Sequence, residues 1–371
     1  MKKALAMILG CTMAAMLLSA CGKGTAPEPS VTAPGSVDTQ PASGDSQSTS
    51  GDWGNLRIGH LTERLGDQGF NDGCYEGVKR FADEYGCEMT VVEIPELNDY
   101  AINARNFAQE GYDILVLTTA AAVDLVKPVA EEFPETQFII TGGVTTGLKN
   151  LTSFEFAQFE NGFVAGAFAA LMNKELGGEL KSGFVSGVRN PAMERSQYGF
   201  TAGSEYAGGT CTVVYVGDWN DAAKGKEIAM QMYSDGIKVV QAFAGGAGNG
   251  VYQAAETKGA GYYSMGNAGG HFELSDTIIA SMLQSNGDAF YELCRKAAAG
   301  ELDGSAGVSL LDMKSGVVAF GYNPKNEALV PQTIKDQVAE IEAKVKSGEL
   351  VPPQTEAEYK AFQENVINNK K

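Results

Sequence analysis

From residue 55 onward, short unbroken apolar runs alternate with longer stretches whose apolar positions recur every three or four residues. Residues 56–61 form the first run. Residues 72–85 follow, with Tyr75, Val78, Phe81, Ala82 and Tyr85 at helical spacing. Strands are predicted at 88–94, 114–117, 137–141 and 151–156, with helices at 100–110 and 123–133 between them. A long helix at 162–172 opens a second series, whose strands lie near 182–186, 211–216, 239–243 and 261–265. A further apolar run at 277–283, a strand at 317–322 and helices at 333–346 and 356–368 complete the chain. Apolar strands alternating with helices form a parallel sheet covered on both faces. Two such series in tandem predict an α/β protein of two similarly built lobes. The number of apolar runs would also suit a barrel, but glycine-rich loops cluster after strand ends, as they would at one cleft. Polar breaks place the crossings between lobes near 155–158, 283–285 and 304–307. The N-terminal lobe is then 55–156 with 284–306, and the C-terminal lobe 157–283 with 307–371.

The first 54 residues have a different character. Met1-Lys2-Lys3 precedes an apolar stretch from Ala4 to Leu18, and Leu18-Ser19-Ala20 leads into Cys21. A basic start, a short apolar core and small residues at a cleavage point describe a secretory signal over 1–20, too short for a stable membrane span. With Cys21 at that point the segment resembles the lipobox of bacterial lipoproteins, which implies lipidation of Cys21. An ordinary signal with a chance cysteine is the alternative. Residues 21–54 are almost wholly small and polar, with Trp53 as their only aromatic residue. Such a stretch buries too little apolar surface to offset its ordering entropy, so it reads as a disordered tether. The formal charge of the chain is −18, and removal of Lys2 and Lys3 with the signal takes it to −20. That balance argues against nucleic acid as a partner.

Catalytic and metal motifs are missing from the sequence. There is no GxSxG, HExxH or P-loop, and His60 and His271 are the only histidines. Cys74 and Cys87 flank a predicted helix, roughly 20 Å apart by its rise, far beyond the roughly 7 Å that a disulfide allows. Free thiols are expected, with no metal site and no cofactor. The interesting positions are instead aromatics in polar loops. Phe70 lies in the Leu65–Gly73 loop after the first strand, where Asn71 or Asp72 could cap the next helix and Phe70 could either stack on a ligand or join the core. Phe243 precedes Gly245, Gly246, Gly248 and Gly250, whose spacing departs from the dinucleotide fingerprint and instead suits close backbone approach to a ligand. Trp219, in Gly217-Asp218-Trp219-Asn220-Asp221, could line a site or plug the lobe surface.

The string Asp67-Gln68-Gly69-Phe70-Asn71-Asp72-Gly73-Cys74-Tyr75-Glu76-Gly77 resembles the D-x-S-F-N-x-x-x-W-x-G signature of the basic membrane protein family, substrate-binding lipoproteins of ABC transporters, typically for purine nucleosides. Further matches include Glu110-Gly111-Tyr112-Asp113, the stretch 163–172 and Asp221-Ala222-Ala223-Lys224-Gly225, in order from Ile58 to Tyr291. The resemblance implies a two-lobed type I periplasmic-binding-protein fold with parallel sheets flanked by helices and a three-segment hinge. It implies a ligand closed between the lobes, with Phe70 stacking on it and Trp219 or Phe243 on the opposite face. Glu63 lies near the family's early acid. Three positions depart: Gly142 follows the strand where the family has an aspartate, Asn267 falls in a changed G-V-D-S-D segment, and Gln284 replaces a lysine. Each missing partner to a buried ligand group costs roughly 1–3 kcal/mol, so the expected ligand is a small flat heterocycle, nucleoside or nucleobase-like. The candidate ligand-binding set is Glu63, Asp67, Phe70, Asn71, Thr119, Gly142, Trp219, Phe243, Gly245, Asn267 and Gln284. The expected protein is a monomeric, non-enzymatic, lipid-anchored solute-binding protein on the extracytoplasmic face of the cell membrane, serving a cognate ABC permease. A ligand-sensing lipoprotein is the alternative, and an extracellular hydrolase on the same scaffold a third class.

Overall fold

The structure is a computed structural model that describes residues 52–66 and 70–370. The predicted signal, Cys21, nearly all of the tether and Asp67 lie outside the described residues. Strands β1 (Arg57–Thr62), β2 (Glu88–Glu93), β3 (Ile114–Leu117), β4 (Gln137–Thr141) and β5 (Leu151–Phe156) alternate with helices α1 (Phe70–Tyr85), α2 (Asp99–Gln109) and α3 (Val123–Glu132). The second series has α4 (Gln158–Glu175), β6 (Lys181–Ser186), α5 (Pro191–Tyr206), β7 (Thr210–Tyr215), α6 (Ala222–Ser234), β8 (Val239–Phe243), α7 (Gly248–Lys258), β9 (Tyr263–Ala268) and β10 (Ile278–Gln284). Then come α8 (Asn286–Ala298), β11 (Ser309–Leu311), β12 (Val318–Tyr322), α9 (Gln332–Ser347) and α10 (Glu356–Phe362). Two six-stranded sheets result, in the orders β11-β5-β4-β3-β1-β2 and β12-β10-β9-β8-β6-β7. All pairs are parallel except β10 with β12. This is the type I periplasmic-binding architecture.

The chain passes between the sheets at residue 157, at 285 and at 312–317. The third passage falls later than the expected 304–307, because β11 still belongs to the N-terminal sheet: Ser309 pairs with Phe154 and Leu311 with Phe156. The three passages lie side by side. Ala157 N donates to Leu311 O (2.9 Å) and Ser285 N to Val317 O (2.8 Å). Trp53, placed in the tether by composition, is docked on the N-terminal lobe instead. Its ring lies 4.8 Å from Tyr85 and 5.8 Å from Phe81 between centroids, so ordered structure starts before Asn55. Burying an indole on two aromatic rings offsets the ordering of the few residues around it.

Both sides of each sheet are apolar, as a doubly covered parallel sheet requires. A continuous core runs through the hinge, from Phe154, Phe156 and Phe290 into Phe159, Phe163, Phe184 and Phe200. Helices α4 and α5 touch backbone to backbone through Gly162 and Gly166 on one, Gly199 and Gly203 on the other. A methyl on Gly166 would overlap the carbonyl of Phe200, and one on Gly203 the carbonyl of Phe163. Among the described residues, none of Cys74, Cys87, Cys211 and Cys294 forms a disulfide.

Candidate functional site at the sheet edges

In each sheet the strand order reverses direction beside the first strand, between β1 and β3 and between β6 and β8. Ligands of open α/β sheets bind outside the carboxyl ends of strands at such switch points. On the N-terminal lobe that point carries a polar cluster. Thr62, the last residue of β1, donates to Asn71 Oδ1 (3.0 Å), and Thr118 Oγ1, just past β3, lies 3.0 Å from Thr62 Oγ1 and 3.2 Å from Asn71 Oδ1. Asn71 is in the first turn of α1, so two threonines from adjacent strands fix its carboxamide. Thr119 is buried beside them and starts a single turn of 3-10 helix.

Phe70 is the first residue of α1, two residues earlier than the predicted helix start. It is half-buried and meets Phe156 and Phe290 edge-on, with centroids 6.4 and 6.3 Å away. The ring is therefore seated at the hinge by two core phenylalanines. Gly142 (φ 147°) and Gly143 (φ 64°) turn the chain sharply after β4, and a methyl on Gly142 would press on Ala120. Glu63 is exposed past β1. Burial pushes the hydroxyl of Tyr100 up, and the Glu63 carboxylate adds to the shift.

On the C-terminal lobe the switch point is covered by Trp219. Its loop, after edge strand β7, reaches back so that the indole lies over Gly187, at the end of β6, and beside Gly245, after β8. A methyl on Gly187 would overlap the ring, and Gly245 takes φ 55° next to it. Trp219 O accepts from Ala247 N (2.8 Å), which ties the loop to the glycine run. Trp219 is 37% exposed, whereas Phe243 is 5% exposed and packs tilted against Phe184, with centroids 5.7 Å apart. Of the two expected opposing faces, Phe243 thus belongs to the lobe's core and Trp219 to its surface. Asn267 sits near the end of β9, followed by left-handed residues Ala268 (φ 48°), Gly270 (φ 98°) and His271 (φ 57°). Non-glycine residues hold that conformation only where surroundings impose it.

Gln284 is not an isolated substitute for a lysine. It is buried at the second passage, where Gln158 Nε2 donates to its Oε1 and its own Nε2 donates to Asn286 Oδ1. Ser196, on α5, donates to Gln158 Oε1 (3.2 Å), so side-chain amides link α5, both passages and α8. Sequence reading missed Thr62, Thr118, Gln158 and Asn286. Their only signal is position, because each directly follows or ends a strand or a passage. Among the described residues no cluster of His, Cys, Asp and Glu could hold a metal ion.

Comparison with known proteins decides the family. The profile of the Bmp family, described as ABC transporter substrate-binding protein PnrA-like, matches residues 61–355. The chain belongs to this family. It is 27% identical over 323 residues to the ABC transporter nucleoside-binding protein BmpA of Lactococcus lactis, covering 81% of this chain and 89% of that one. It is 25% identical to basic membrane protein A of Borreliella afzelii, over 81% of this chain and 92% of the relative. Among solved structures, an ABC transporter solute-binding protein from Aeropyrum pernix superposes with a TM-score of 0.71 at 23% identity, covering 85% and 98% of the two chains. The Bmp chain described here is thus an ABC-transporter substrate-binding protein with the type I fold of its structural neighbours.

Proposed function

We propose that this Bmp protein is anchored to the membrane through Cys21 and captures a small flat heterocycle, nucleoside or nucleobase-like, for an ABC permease. The observation that carries the ligand class is Trp219. A large indole lying on glycines at a switch point, with over a third of its surface open, offers a flat face where a ligand is expected. Phe70 supplies the facing ring, braced edge-on by Phe156 and Phe290. Asn71, oriented by Thr62 and Thr118, reads the edge of the heterocycle. Thr119, Gly142, Gly245 and Asn267 form the surrounding wall, Glu63 and Asp67 the N-terminal rim, and Gln284 acts from the hinge rather than at the ligand. The nucleoside-binding relative from Lactococcus lactis supports the same ligand class. Lobe closure about the three passages brings the two aromatic faces onto the ligand, and no chemistry is required of the protein itself.

The test is calorimetric titration with a panel of purine and pyrimidine nucleosides, their free bases and a flavin. At least one should bind, and Trp219→Ala should weaken it about tenfold or more, because an aromatic platform contributes roughly 1–3 kcal/mol per stacked base. The urea midpoint should change little, since the ring is largely outside the core. Binding of none of these compounds, or full affinity in Trp219→Ala, would remove the aromatic cleft.

A further inference from the structure

Among the described residues, one pair of opposite charges joins the N-terminal and C-terminal lobes outside the hinge passages. Glu155 lies near the carboxyl end of β5, in the N-terminal sheet, and forms an ion pair with Arg195 on α5 of the other lobe. Both side chains are largely withdrawn from water, 15% exposed for Glu155 and 24% for Arg195. The carboxylate is seated over Gly143, where any side chain would collide with it. Gly143 also takes φ 64°, a conformation that disfavours other residues. The site for Glu155 is therefore built into the turn after β4. Next to Arg195 on the same helix, Ser196 is bonded to Gln158 at the first passage, so α5 is held to the hinge on one side and to the N-terminal lobe on the other.

We propose that Glu155 and Arg195 are positioning residues that set how closely the two lobes approach and thereby how tightly the cleft grips its ligand. This rests on the reading of the chain as a two-lobed binding protein. The physical reason is desolvation. Approach of the lobes takes both charges out of water, which is tolerable only while each has the other. Removing one partner leaves the other buried and unpaired in the closed form but free to be hydrated in the open form. Each single neutral variant must then shift the protein toward the open form. Removing both takes away the uncompensated charge, so the double variant should be affected less than either single one.

Small-angle scattering on the ligand-free protein tests this with Glu155→Gln, Arg195→Met, the double variant and Arg195→Lys. The expected result is a larger radius of gyration in the two neutral singles, a partial return in the double and wild-type scattering in Arg195→Lys. Circular dichroism shows that each variant is folded. In parallel, the affinity for a nucleoside that the wild type binds should fall about tenfold or more in each neutral single. Identical scattering in all variants, or a double variant whose effect is the sum of the singles, overturns the proposal. If wild type binds no nucleoside or base, the ligand reading fails while the scattering still decides the role of the pair.

Discussion

His60 is a fully buried imidazole on β1, stacked nearly parallel to Tyr75 at 6.3 Å, with neither ring nitrogen hydrogen-bonded. Burial without a partner holds its pKa down at about 4, against an ordinary value of 6.5. The unfolded chain therefore binds a proton between those values that the folded chain refuses, and stability rises with pH across that window. It is complete above pH 6.5 and falls by about 3 kcal/mol as pH drops to 4. His60→Leu should reduce the slope of urea stability over pH 4–6.5. A smaller slope should remain, because burial also lowers the pKa of His271, the other histidine of the chain. An unchanged pH slope in His60→Leu would assign the dependence elsewhere. At this scale the sequence is informative where context is odd. Phe70 stands out as an aromatic in a polar loop, and Glu155 is the only charge in the Leu-Thr-Ser-Phe-Glu-Phe strand. Arg195 carries no such signal, because a charged residue on a helix has many ordinary uses. Phe243 is ambiguous in sequence for a related reason. A strand-end aromatic before glycines looks the same in sequence whether its ring turns to the cleft or, as here, to Phe184.

Helices α4 and α5 show how an element's composition dictates its packing. Glycines four apart on each helix remove the side chains that would separate the axes, and the carbonyls of Phe159, Phe163 and Phe200 fill the space. In an exposed helix interior, Gly→Ala gains roughly 0.5–1 kcal/mol of helix propensity. Gly203→Ala should do the reverse and lose about 1–3 kcal/mol, since the added methyl must push α4 away from α5 in a close-packed core. Urea unfolding of Gly203→Ala gives the sign directly, and a stabilised variant would show that the helices have room to separate. A single sequence reveals small residues at helical spacing in 162–172 but does not name the partner helix. Helix α5, with polar residues on much of its surface and glycines on its buried side, has a weak apolar period, and contact with α4 makes its role plain.

Across the whole molecule, two lobes are legible because strand and helix alternate twice in series. The two covered sheets follow from that order, whereas the antiparallel pairing of β12 with β10 does not. The third hinge passage is not legible in the same way. β11 is a three-residue strand, Ser-Leu-Leu, whose membership of the N-terminal sheet depends on pairing with β5, far away in sequence. Beyond the domain, the proposed membrane anchor makes its own prediction. Trp53 packs on α1, and residues 21–52 separate it in sequence from the proposed lipid on Cys21. Since one acyl chain binds a bilayer only marginally and two or more hold firmly, Cys21→Ser should move the protein from the membrane fraction to the soluble one. Its affinity for ligand should stay unchanged, because every candidate ligand-binding residue lies at position 63 or beyond. A Cys21→Ser protein that resists salt washing of the membranes would show that something other than this cysteine holds the chain in place.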